Sequence, residues 1–360
     1  MKYEYSSVIP IIVLAYVVFP LLILSGIRKI YIKKVKPSQE FFAKDETTIL
    51  KGICIMIVMF THYGNRMKPQ SLMYWYNMFG YLSVSIFLLI SGYAMYIQYQ
   101  KKQKAFFEHF LINRCFRMLF PFVVISVVMS LVNRIPLIKF CYNLITLQIP
   151  RGKDETFGVT WFLVAMLFFS ICFYFCFKYM KEKQALLVMV VLSALYMIVC
   201  IGLKCGVWWY DNSFCFAIGI ILARYRQKVL EFMEKLKIPV FLLSGLAIGV
   251  FVLLMGKRGM NENIVVLTAC GFCAIACIVS LFNMITMKSR MFTVIGNMSW
   301  EVFLVHSTVQ ISIYGEKVQQ PGYSIIFVII VVLIVSCLIY RIDNYATQLF
   351  CKYGKRKEGI

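Results

Sequence analysis

A succession of long apolar runs dominates this sequence, and little but a membrane fold accommodates them. Each is close to the roughly 20 residues that carry an α-helix across bilayer hydrocarbon. They fall at about 8–27, 47–65, 78–98, 118–134, 158–177, 185–203, 207–223, 238–256, 263–285, 299–314 and 323–341. Backbone groups in hydrocarbon have no water to bond, so such runs close their hydrogen bonds internally, as helices. The expected fold class is all-α: a polytopic membrane protein of about 11 transmembrane helices, a 10-helix core plus one N-terminal helix. The first run also has the position of a signal peptide. It is long and has no persuasive small-residue cleavage site, so it reads as a retained helix.

Charge orders these runs. The chain is 61% hydrophobic and carries 38 Lys+Arg against 16 Asp+Glu, net +22. In a soluble protein that imbalance would point to nucleic acid. Here the basic residues lie mainly between apolar runs, where they set orientation and meet anionic headgroups. Nucleic acid is therefore excluded as a partner, and membrane lipids are expected. The clusters at Arg28–Lys36, Lys101–Arg117, Lys178–Lys183, Arg224–Lys237 and Lys288–Arg290, with the tail at Lys352–Lys357, fall in alternate connections. The positive-inside rule puts them in the cytoplasm, with the N-terminus outside and the C-terminus inside. The organisation expected is an N-terminal transmembrane helix and basic linker over 1–44, a membrane core over 45–341 and a basic cytoplasmic tail over 342–360. No connection is long enough to fold as a soluble domain, so the chemistry falls to membrane helices and short loops, in a multi-pass cytoplasmic-membrane protein.

Thirteen cysteines do not make a disulfide framework. Most lie inside apolar runs, where a free Cys behaves as a small hydrophobe. Cys270 and Cys273 have metal or redox spacing, but no second pair or nearby His completes a site, and no metal is expected. Gly245 and Gly249 form a small-xxx-small step that reads as a close helix approach.

Ionisable residues inside spans are costly, and each is a functional candidate. His62 ends the second span; a hydrogen-bonded interfacial histidine explains it equally well. Lys51 begins the same helix eleven residues earlier, about 16 Å along the axis and on the same face. A cation and an imidazole so placed suggest a lined pathway, while a snorkelling anchor is the plain reading of Lys51. Glu301 and His306 lie five apart on the tenth span, either as working groups or as a pair satisfying each other in lipid. Arg114 and Arg117 present two guanidinium forks on one side of a helix start, suited to phosphate; positive-inside bias also explains them. His109 reads as a solvated loop residue, and Asp211, after Trp208-Trp209-Tyr210, as an outer-interface residue.

These residues resemble a known family. Leu50-Lys51-Gly52-Ile53 through His62 looks like the first core helix of the acyltransferase-3 family of integral membrane O-acyltransferases, with a basic residue, Gly, an apolar run and a His. Ser91-Gly92 in the third span, Arg114-x-x-Arg117 with Pro121, Thr160-Trp161-Phe162-Leu163, and Ser299-Trp300-Glu301 through His306 resemble its later motifs, in its order, over residues 45–341. Lys51 departs from the more usual Arg and loses the planar fork.

The resemblance implies an acyltransferase, with acetyl-CoA or another acyl-CoA as donor and acetyl as the expected group. The acceptor it implies is a hydroxyl of a cell-surface or lipid-linked carbohydrate, with separate envelope-biosynthesis proteins as further partners. By that likeness Arg114, Arg117 and Lys51 meet the donor, and Trp161 offers a ring face to sugar or adenine. His62 acts as general base or acyl carrier, and Glu301 and His306 orient groups or relay a proton. A transporter or flippase for a lipid-linked sugar, or a non-catalytic membrane scaffold, also fits many spans with few buried charges.

Overall fold

The computed structural model describes residues 5–32, 42–65, 72–132, 134–147, 160–258, 263–314 and 323–357. In chain order the elements are α1 (Tyr5–Val13), a π-helical turn (Leu14–Val18), α2 (Phe19–Ser25), β1 (Ile27–Ile30), α3 (Lys44–Gly64), a 3-10 turn (Leu72–Tyr76), α4 (Asn77–Lys102) and α5 (Phe110–Val132). There follow α6 (Leu137–Thr146), α7 (Thr160–Tyr179), α8 (Glu182–Gly202), α9 (Ser213–Arg224), α10 (Arg226–Arg258), α11 (Ile264–Met284), β2 (Ile285–Met287), α12 (Arg290–Asn297), α13 (Ser299–Tyr314) and α14 (Tyr323–Lys357).

Eight helices among the described residues are long and apolar enough to cross a membrane. Three expected spans fall on shorter helices. The run at 8–27 is the interrupted helix Ile9–Ser25, the run at 207–223 contains the 12-residue α9, and the run at 299–314 is the 16-residue α13. Twelve residues rise only about 18 Å, short of a hydrocarbon core. The cause is local: residues 207–212 form a 3-10 turn and a polar Asp211-Asn212 step, so helix begins only at Ser213. Helix α14 continues through residue 357, so residues 342–357 extend the last helix.

The chain divides into two compact units. The first holds residues 1–98, 210–297 and 317–326. At its centre is α3, buried along most of its length. Two glycine crossings set its packing. A side chain at Gly52 would strike the Phe292 carbonyl, and one at Gly296 would strike the Thr48 carbonyl, so α12 and α3 cross backbone to backbone. Gly92 against Phe216 and Gly219 against Leu89 do the same for α4 and α9. By contrast, nothing lies within 4 Å of a side chain added at Gly245 or Gly249. The small-xxx-small step of α10 is exposed beside Leu242, Leu243 and Leu246, and among the described residues it brings no helix close.

The N-terminal helix is tied into this unit. In the π turn the Phe19 N–H donates to the Leu14 carbonyl, one residue further back than in an α-helix. Pro20 has no N–H, so the buried Ala15 carbonyl loses its helical donor. The Tyr76 hydroxyl donates to it at 2.6 Å, which satisfies a group that would be costly to bury alone. Strand β1 then pairs antiparallel with β2, Ile27 opposite Met287 and Ile30 opposite Ile285, with an irregularity at Arg28.

The second unit holds residues 99–209, 298–316 and 327–360. Helix α7 lies antiparallel to α5: Arg114 meets Ser170 while Phe110, one turn earlier, meets Phe173. An aromatic cluster of Tyr99, Phe106, Phe107, Phe110, Phe173 and Phe177 fills its core at one end. On α8 the exposed residues Leu187, Val191, Leu195 and Ile198 recur at helical spacing, an apolar stripe facing outward as lipid contact requires.

Candidate functional site

The first unit carries Lys51 and His62. Between residues 48 and 64 of α3 every position is buried except Lys51, Ile57 and His62, which are half-buried. Eleven residues make just over three full turns, so Lys51 and His62 open on one face, about 16 Å apart along the axis. The far end of α3 is fixed by Thr61, whose hydroxyl lies 2.8 Å from the Tyr76 carbonyl, and by Gly64, seated against the Met73 backbone. His62 therefore projects from a rigid last turn. Gly52, beside Lys51, is what admits α12.

The second unit carries the other expected residues. Arg114 on α5 is half-buried, and its Nε donates to Ser170 Oγ on α7 at 3.3 Å. Arg117, three residues on, is exposed. Phe116 stacks on Phe350 at 4.4 Å, which brings α14 beside α5, and Arg117 acts electrostatically on Asp343 of α14. Asp343 is buried, and its Oδ1 has no hydrogen-bond partner among the described residues. The two arginines thus differ: one is pinned inward by a hydroxyl, the other open and partly offset by a carboxylate.

Trp161 sits elsewhere. It is half-buried on the first turn of α7, with its ring 6.3 Å from Phe303, which in turn lies 5.6 Å from His306. Nine residues, about 13 Å of helix, separate it from the Ser170 that holds Arg114. Trp161 belongs to the surroundings of His306, not to the arginine pair.

Glu301 and His306 are both buried, yet five residues turn through about 140° on a helix, so they leave α13 in different directions. His306 Nδ1 lies 3.1 Å from the Val302 carbonyl. A carbonyl only accepts, so Nδ1 carries a proton in this contact. The backbone one turn back holds this side of the ring.

Of the remaining residues, Asp211 departs from its sequence reading. Asp211 is buried in the first unit, where the Asn212 amide donates to it at 2.5 Å and Ser85 bonds Asn212. His109 is exposed before α5, with a left-handed backbone. Cys270 is buried and Cys273 half-buried on α11. No group of three or more His, Cys, Asp or Glu among the described residues could hold a metal. Sequence reasoning passed over Asp343, Ser170 and Gln310. Gln310 had a signal, since it is a polar residue one turn beyond His306 in an apolar run.

A family model described as an acyltransferase domain, that of the acyltransferase-3 family, matches residues 46–341. No curated protein and no solved structure matches the chain.

Proposed function

The chain belongs to the acyltransferase-3 family of membrane acyltransferases, and from that premise we propose that it moves an acyl group, acetyl by preference, from a cytosolic acyl-CoA to a hydroxyl of a cell-surface or lipid-linked carbohydrate. The observation that carries this reading is the pair Lys51 and His62, half-open on one face of an otherwise buried helix. Buried helices do not keep a cation and an imidazole on one accessible face without cost, and a thioester passing along that face would use both.

In this scheme the chain crosses the cytoplasmic membrane many times, with the C-terminus inside, and the donor approaches from the cytoplasm. Arg114 and Arg117 meet its phosphates, and Lys51 lines its path. His62 accepts the acceptor's hydroxyl proton as that oxygen attacks the thioester carbonyl carbon. The carbon–sulfur bond then breaks, and the imidazolium returns its proton to the departing CoA thiolate. Imidazole both accepts and donates a proton readily, which suits both transfers. Trp161, close to His306 and remote from the arginines, fits a sugar ring better than adenine. His306 and Glu301 orient the acceptor or carry protons near it.

The test is full-length protein in membranes supplied with acetyl-labelled acetyl-CoA. Label should enter carbohydrate, with release of free CoA. His62→Ala should slow transfer by about 10²–10⁴-fold, the usual contribution of a general base, at equal expression. Transfer that survives in His62→Ala removes the base. Movement of an unmodified lipid-linked sugar across vesicles would favour a transporter, and neither activity a scaffold.

A further inference from the structure

Three helices of the second unit each bury a polar group that has no hydrogen-bond partner among the described residues. Gln310 on α13 is fully buried, and both its amide oxygen and its amide nitrogen are unpartnered. The Ser336 hydroxyl on α14 is fully buried, the Ser130 hydroxyl on α5 nearly so, and both are likewise unpartnered. Buried polar groups are normally satisfied, so each exception calls for an explanation.

The helix ties place all three at one depth. Phe116 stacks on Phe350, and Ser130 lies fourteen residues beyond the first while Ser336 lies fourteen before the second. Arg117, next after Phe116, acts on Asp343, two turns before Phe350, as fits α14 running antiparallel to α5. Each serine is therefore about 21 Å along its helix from the same stacked pair. The Trp300 Nε1–H donates to the Met118 carbonyl, and Phe303, further along α13, packs on Phe162 near the start of antiparallel α7. So α13 runs parallel to α5, and Gln310, ten residues past Trp300, reaches about 18 Å on the same scale. It shares the face of His306, one turn earlier.

We infer that Gln310, Ser130 and Ser336 form a subsite for the neutral, hydroxyl-rich ring of the carbohydrate acceptor, next to His306; this rests on the function proposed above. The chemistry selects the ligand class. None of the three groups is charged, so nothing here favours an anion such as phosphate. An amide offers two donors and an accepting oxygen, and each serine both donates and accepts. Adjacent sugar hydroxyls, which also donate and accept, satisfy such a set, whereas an acyl chain satisfies none of it.

The experiment compares wild type with Gln310→Leu and Gln310→Asn, as full chains. Removing an amide that has no partner among the described residues should leave the melting temperature equal or higher in Gln310→Leu. The acceptor KM should rise about tenfold or more, because a site built to bond a hydroxyl discriminates strongly, with the donor KM unmoved. Gln310→Asn should recover part of the acceptor affinity. A lower melting temperature in Gln310→Leu, with both KM values disturbed, would make the amide structural. An unchanged acceptor KM would make the site a water-filled one. If the wild type acylates no carbohydrate, the proposed function falls separately. The subsite is then judged by thermal shift in a mixture of methyl glucoside, methyl galactoside and N-acetylglucosamine: a shift lost in Gln310→Leu upholds it, and no shift in wild type removes it.

Discussion

At the residue scale the arginine pair holds the finest balance. Arg117 is open to solvent, and Asp343 acts on it from α14. If Arg117 meets the donor's phosphates, that carboxylate works against them. Asp343→Asn should therefore lower the donor KM by about two- to fivefold at low salt, the range of a partly exposed ion pair, and the gain should shrink as salt screens it. An unchanged or higher donor KM at low salt would mean that Arg117 does not meet the donor. Sequence reasoning singled out His62 and His306 because ionisable groups are rare in apolar runs, and Arg114 and Arg117 by their spacing at a helix start. It missed Asp343, which lies beyond the last apolar run, and Gln310, because a neutral amide raises no alarm beside a histidine. The direction in which a side chain leaves its helix was legible for Lys51 and His62, eleven apart. The partner of His306 Nδ1 was not legible, since the Val302 carbonyl that holds it has no sequence signature.

At the scale of elements, glycine divides into positions that admit a helix and positions that do not. Gly52 touches the α12 backbone, which cannot move aside. Gly52→Ala should cost about 1–3 kcal/mol by overpacking, seen as an earlier melt in detergent. Gly245→Ala, with open space around it, should stay within about 0.5 kcal/mol; equal effects would contradict the crossing of α3 and α12. The Lys51-Gly52 pair was readable as a motif, but the steric work of Gly52, which admits α12, was not. The Gly245 and Gly249 step carries the same pattern without the contact, because spacing alone does not say which helix lies opposite. Helix existence was legible from hydropathy. The late start of α9 was not, because it depends on Asp211 and Asn212 turning inward.

For the whole molecule, the expected residues are split between the two units: Lys51 and His62 in one, and Arg114, Arg117, Trp161, Glu301 and His306 in the other. Order along the chain did not reveal that division, because the first unit is assembled from three separated segments. Nor did it reveal that the N-terminal helix is fastened to the core. Tyr76→Phe should strand the buried Ala15 carbonyl and lower stability by about 1–3 kcal/mol, measured by thermal melt; an unchanged melt would mean that water replaces the hydroxyl. The β1–β2 ribbon adds a constraint of another kind. Ile30 and its partner Ile285 are 255 positions apart in the sequence. At translation rates of about 5–20 residues per second, the first strand waits roughly 13–50 s for its mate to leave the ribosome. Through that interval its unpaired edge needs shelter from other chains, so any factor that assists biogenesis of this protein should be needed most by nascent chains that stop short of residue 285.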